Sequence, residues 1–240
     1  MTPMATGAAA DPDRAMLPAL VALTAVSGIV DAASYLGLGH VFTANMTGNV
    51  VILGFSAAGA PGFSAAACLV SLAAFVVGAA LAGRLTTARS RRTWLLGAIA
   101  VEAVFVGAAA VLALVHHGGV SAGWPRFVVI ALLGFAMGTR NSVVRRLAVA
   151  DMTTTVLTMT LTGLAADSAA AGGVSQHAGR RVASVITMFA GALVGALLYL
   201  HHGTGWALVG AAGVSVATAA YLMTGRRSTN RPGPGPASEA

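Results

Sequence analysis

Apolar residues run along this chain in long blocks, with polar residues confined to the short breaks between them. Eight blocks can be marked, at roughly 17–38, 47–60, 64–83, 94–115, 126–144, 149–171, 182–200 and 205–224. Crossing ~30 Å of hydrocarbon takes about 20 helical residues. The first, third, fourth, fifth, seventh and eighth blocks meet that length. The second is too short, and the sixth carries a string of Thr together with Asp151 and Asp167. The pattern predicts an all-α fold: a polytopic transmembrane helix bundle of six spans plus two short or broken helices.

The blocks also repeat. Shifted by 106 residues, Gly28 falls on Gly134, and Asn45-Met46-Thr47-Gly48-Asn49-Val50 falls on Asp151-Met152-Thr153-Thr154-Thr155-Val156. A shift of 112–113 then brings Gly78-Ala79 onto Gly191-Ala192 and Trp94 onto Trp206. Each half reads long, polar-started, long, long. The expected organisation is a disordered N-terminus at 1–16, a first transmembrane repeat at 17–115, a second at 126–224 and a disordered C-terminal tail at 225–240.

Arg placement sets the topology, because cytoplasmic loops are enriched in Lys and Arg. If the second and sixth blocks do not span, Arg14, Arg84, Arg89, Arg91, Arg92, Arg145, Arg146, Arg180, Arg181, Arg226, Arg227 and Arg231 share one side. Only Arg126 lies opposite, and Arg140 falls inside the membrane. Eight spans allow no such segregation. A seven-span arrangement, with 47–60 crossing, is the surviving rival; matching segments should behave alike, which favours six. Both termini are then cytoplasmic, in a bacterial inner (plasma) membrane. Three spans per half is an odd number, so the two repeats are inverted relative to each other, a plan that transporters use.

Composition agrees. Hydrophobic residues make up 57% of the chain and charged ones 9%, against about 25% charged in a soluble domain. The net charge of +7 comes from Arg clusters between apolar runs, which fits lipid headgroups and not nucleic acid. A single cysteine, Cys68, rules out a disulfide or Cys-based metal site within one chain. Small residues such as Gly191 and Gly195 fit close helix packing, and a homo-oligomer is compatible with them.

Candidate chemistry concentrates where polar residues interrupt apolar runs. Thr43, Asn45 and Thr47 are good helix-capping residues ahead of an apolar stretch. They suggest a loop that dips into the bilayer and a half-helix whose free N–H groups favour a polar or anionic ligand. Asp151, Thr153 and Thr155 form the second copy. Asp31, Arg140 and Glu102 lie inside spans, where a charge costs about 2.5–3.5 kcal/mol on insertion scales and faces a cavity or a partner. Asp151 and Asn141 are the expected neighbours of Arg140, with Asp31 at a different depth. The paired His116-His117 and His201-His202 read as interfacial, and no metal or other cofactor is expected. No phosphate-binding glycine loop, nucleophile elbow or zinc-protease helix is present in the sequence, so no enzyme is expected.

Two stretches carry a resemblance. Gly28-Ile29-Val30-Asp31-Ala32-Ala33-Ser34-Tyr35-Leu36-Gly37 with Phe42-Thr43-Ala44-Asn45-Met46-Thr47-Gly48-Asn49 is the first. Gly138-Thr139-Arg140-Asn141, Val144-Arg145-Arg146-Leu147 and the run from Asp151 to Ala165 make the second. Both resemble the YoaK-like family of bacterial multi-span membrane proteins; position 139 is Thr where that family more often has Gln. The resemblance runs from about 17 to 224 and implies a membrane protein sometimes described as a small-molecule transporter, with no substrate attached. The function expected is secondary transport of a small polar or charged solute through a cavity between the repeats. Its candidate lining is Asp31, Tyr35, Asn45, Thr47, Asn49, Arg140, Asn141, Asp151, Thr153 and Thr155. A channel using the same cavity, or a membrane scaffold or partner subunit without transport, are the alternatives.

Overall fold

A computed structural model describes residues 12–85, 90–116, 123–147, 157–166 and 178–228. These form eight α-helices: α1 (Pro12–Gly37), α2 (Met46–Ala57), α3 (Ala65–Leu85), α4 (Arg91–Val115), α5 (Trp124–Leu147), α6 (Leu157–Ala166), α7 (Ala178–His202) and α8 (Thr204–Ser228). Six of them, α1, α3, α4, α5, α7 and α8, are long and apolar enough to cross a membrane. At 12 residues α2 is too short to do so, reaching only about 18 Å. The described residues are a polytopic helical bundle, as the apolar blocks predict.

The first helix starts ahead of its apolar block, inside the segment expected to be disordered. Pro12 suits a helix start because its missing N–H has no partner there in any case. Residues 1–11 and 229–240, which hold most of the two expected disordered termini, lie outside the described residues.

Contacts at the helix ends fix their directions. Gly37 at the end of α1 packs on Tyr199 and Thr204 at the α7–α8 turn, and Gly205 packs on Leu114 of α4. Arg126, at the start of α5, lies against Gly39 and donates to Ser64 ahead of α3. At the opposite end Arg91 and Arg92 of α4 donate to the carbonyls of Leu147 and Leu222, and Gly83 of α3 sits beside Ser142 and Arg146. Successive long helices therefore alternate in direction. The short helix α2 belongs to the first end, while Gly163 of α6 packs on Arg181 near the start of α7, at the second.

Helix α1 packs on α7 and α8, α5 packs on α3 and α4, and α4 packs on α8. The two short helices pack on α3 and α7 respectively. Small residues make the closest of these contacts. A Cβ on Gly28 or Gly191 would run into backbone of the facing helix, at Met188 and Ala25. Gly78 and Gly138 meet Phe135 and Phe75 across α3–α5 in the same way. Close backbone approach of this kind is how membrane helices associate when lipid removes the hydrophobic drive between them. Side chains such as Val76, Val104, Ile186, Phe189 and Leu193 point outward and are exposed, as a lipid-facing surface requires.

Candidate functional site

Polar residues on α1 are spaced along one face. Thr24, Ser27, Asp31 and Ser34 are separated by three, four and three positions, which stacks them one above another on a helix. All four are buried. Two clusters form along this stripe, about 6 Å apart along the axis, the rise of four residues.

The upper cluster holds the chain's return into the bundle. After α1 the backbone turns through Gly39 and His40, both with positive φ. It then doubles back beside α1, so that Thr43 and Ala44 lie level with Asp31. Asp31 Oδ1 accepts from the backbone N–H groups of Thr43 (3.0 Å) and Ala44 (2.8 Å). Its second oxygen, Oδ2, is buried with no hydrogen-bond partner. Thr43 Oγ1 donates to Ser34 Oγ at 3.4 Å. Asn49, in the first turns of α2, uses both ends of its amide on one residue: Oδ1 accepts from Phe42 N–H (2.9 Å) and Nδ2 donates to Phe42 carbonyl (2.7 Å). That carbonyl also accepts from Ser71 of α3 at 2.7 Å, and Tyr35 stacks on the Phe42 ring at 4.8 Å between centroids. The returning loop is thus tied to α1, α2 and α3 together.

The lower cluster is an ion pair enclosed by α1, α4, α5 and α8. Arg140 Nη1 lies 3.2 Å from Glu102 Oε2, and both side chains are fully buried. Arg140 also donates to the Leu23 carbonyl (3.1 Å) and to Ser27 Oγ (2.5 Å). Ser215 of α8 donates to Glu102 Oε1 at 2.8 Å. The pairing and the added hydrogen bonds compensate both buried charges, while Arg140 Nε and, apart from the ion contact, Glu102 Oε2 have no hydrogen-bond partner.

The residues singled out in the sequence divide accordingly. Asp31, Tyr35 and Asn49 come together around Phe42. Asn45 occupies the capping position of α2 without a side-chain cap bond, and it and Thr47 are exposed, facing away from the buried cluster. Arg140 takes Glu102, a residue the sequence did not pair with it, as its ion partner. The cause is the α4–α5 packing, which sets Glu102 directly against it. Asn141, its chain neighbour, is half-buried. Asp151, Thr153 and Thr155 lie outside the described residues. Thr43, read as a capping residue, instead joins the Asp31 cluster, and Ser27, Ser71 and Ser215 went unmarked. The regular spacing of Ser27 and Asp31 was a readable signal; Ser71 and Ser215, isolated in apolar helices, offered none.

The comparisons follow the same stretches. The family model "Protein of unknown function (DUF1275)" matches residues 19–221. The "UPF0700 transmembrane protein YoaK" of Bacillus subtilis (strain 168) is 35% identical over 157 residues, covering 64% of this chain and 67% of that protein. No solved structure matches. The matched residues take in α1 with its polar stripe, the returning loop, and the Arg140–Glu102 pair, and the chain belongs to the DUF1275 family of multi-span membrane proteins.

Proposed function

We propose that the protein is a secondary transporter for a small polar or charged solute, working between two inverted halves in a bacterial cytoplasmic membrane. The observation that carries this reading is the pair of polar clusters buried inside spans that are otherwise apolar. Asp31, Glu102 and Arg140 are each 5% exposed or less. Charges at that depth are costly and mark pathways for ions, protons or solutes.

The helix contacts support the inverted halves. Exchanging α1 with α5, α2 with α6, α3 with α7 and α4 with α8 turns the α1–α7 contact into α5–α3. It also turns α1–α8 into α5–α4 and α2–α3 into α6–α7, all present. The exchanged helices run in opposite directions, and the short helices sit at opposite ends. Ser215 and Glu102, 113 positions apart like Gly191 and Gly78, meet each other where α4 packs on α8. Solute would enter by parting one half from the other around the Asp31–Arg140 region.

Reconstitution into proteoliposomes tests this. Saturable flux of a small solute that depends on the protein, and that a pH gradient drives, is the expected result. With Asp31→Asn the gradient should no longer drive it. Ion currents resolved as single-channel events would identify a channel instead. Protein that folds, inserts and moves none of a broad set of polar solutes would end the reading.

A further inference from the structure

Successive backbone N–H groups in a turn form a cradle that suits an anion, and the two in the loop just ahead of α2 already hold one. The carboxylate of Asp31 sits on the N–H groups of Thr43 and Ala44. A carboxylate belonging to a solute makes the same two hydrogen bonds with the same geometry. We propose that Asp31 is an exchangeable, built-in stand-in for a carboxylate solute. When Asp31 takes a proton, the Thr43 and Ala44 N–H groups pass to the carboxylate of the incoming molecule. This rests on the transport reading and names its substrate class and coupling.

Two further observations point the same way. Asp31 is 5% exposed, yet its Oδ2 is buried without a hydrogen-bond partner. A carboxylate fixed there for stability alone gains from a donor on each oxygen; this one keeps an oxygen free to receive a proton. The second is charge. Among the described residues the buried charged groups are Asp31, Glu102 and Arg140, two carboxylates and one guanidinium. Glu102 is paired with Arg140, which leaves Asp31 as the excess negative charge. Protonating Asp31 while admitting one monocarboxylate leaves the total unchanged: one proton enters on Oδ2, one anion enters on the N–H groups, and no net charge is added to the low-dielectric interior. Admitting an anion without the proton adds an uncompensated charge there, which the low-dielectric interior opposes.

The neighbours of Asp31 leave it the natural acceptor. On its own helix Tyr35 lies one turn away. Arg140 approaches from α5 and carries Glu102 from α4. Tyr199 of α7 packs at Gly37, and Tyr221 of α8 lies by Pro18 at the far end of α1. Cys68 is the buried thiol of α3, and His40 is exposed at the outer corner, against Tyr35 and the Gly62 carbonyl.

The full-length protein in nanodiscs is titrated with lactate, with octanoate as a lipid-like carboxylate, and with chloride. Binding is measured by calorimetry across a range of pH. Proton uptake is followed with an indicator dye in weak buffer. The expected result is carboxylate affinity that rises about tenfold for each unit fall in pH, the slope of one linked proton, with one proton taken up per carboxylate bound and chloride inert. Lactate binding alone assigns a water-soluble solute; octanoate alone assigns a fatty acid. In Asp31→Asn the pH slope and the proton uptake should vanish. If that variant fails to fold, the wild-type proton count decides by itself. Carboxylate binding with no proton taken up overturns the proposal. So does proton-driven flux of some other solute with neither carboxylate bound, a result that leaves transport standing. No flux of any solute and no binding would end both.

Discussion

Arg140 and Glu102 hold each other in a setting where neither could stand alone. Removing one partner of a buried ion pair costs about 3–5 kcal/mol, because the other charge is left uncompensated, whereas apolar replacement of both is often neutral. Glu102→Gln should therefore lower the stability of the detergent-solubilised protein by about that amount, and Glu102→Leu combined with Arg140→Met should recover most of it. A double variant no better than the single would mean that the pair's hydrogen bonds to Leu23 and Ser27 carry the packing of α1. Asn49 makes a second test. Its amide accepts from the Phe42 N–H and shares the Phe42 carbonyl with Ser71, so its loss orphans the N–H, at about 1–3 kcal/mol. Asn49→Asp keeps the acceptor but turns an oxygen toward the Phe42 carbonyl, so it should destabilise more than Asn49→Ser. Equal unfolding midpoints would show that the loop does not depend on this amide. Much of this scale was hidden in the sequence. That Asp31 and Arg140 are special follows from charge inside an apolar run. That Glu102 completes Arg140 depends on the register of α4 against α5, which no local pattern encodes.

The helices themselves were legible because length and hydropathy are local properties. All six long elements fall on blocks that meet the bilayer's thickness, and the second block, marked as too short, is α2. Boundaries moved where capping chemistry overrode hydropathy, as at Pro12. What the apolar pattern could not supply is which faces meet, and the glycines carry that information. Gly138 lies against the Phe75 backbone and Gly191 against that of Ala25, so an added methyl has no flexible neighbour to displace. Gly138→Ala and Gly191→Ala should each cost about 1–3 kcal/mol, the range for overpacking. Gly97 in α4 has nothing within 4 Å of where a Cβ would be; Gly97→Ala should be neutral or gain up to about 1 kcal/mol from helix propensity. Thermal unfolding of the three variants checks the contrast. A Gly138→Ala protein as stable as Gly97→Ala would mean that α3 and α5 are not in close backbone contact.

At the scale of the whole molecule, the proposed inverted arrangement makes a demand that the individual helices do not. If the halves were parallel repeats, α2 and α6 would emerge at the same face of the membrane. Inversion puts them at opposite faces. Arg91, Arg92, Arg145 and Arg146 gather at the end shared with α6, and Arg126 stands at the end shared with α2. On the proposed reading, the charge bias of cytoplasmic loops puts the α6 end on the cytoplasmic side. Single cysteines in a Cys68→Ala background turn this into a measurement. Ala58, exposed just after α2, is preferable to Gly59, whose positive φ would strain any side chain. Cysteine at Ala58 and at His202 should react with an impermeant thiol reagent added outside intact cells. Cysteine at Ser90, ahead of α4, and at Thr162, on the exposed side of α6, should react only once the cytoplasmic face is opened. Ala58 and Ser90 reacting from one side would mean that α3 does not cross. Ala58 and Thr162 reacting from one side would leave the spans in place but remove the inversion, and with it the geometry in which two halves could rock about Asp31 and Arg140.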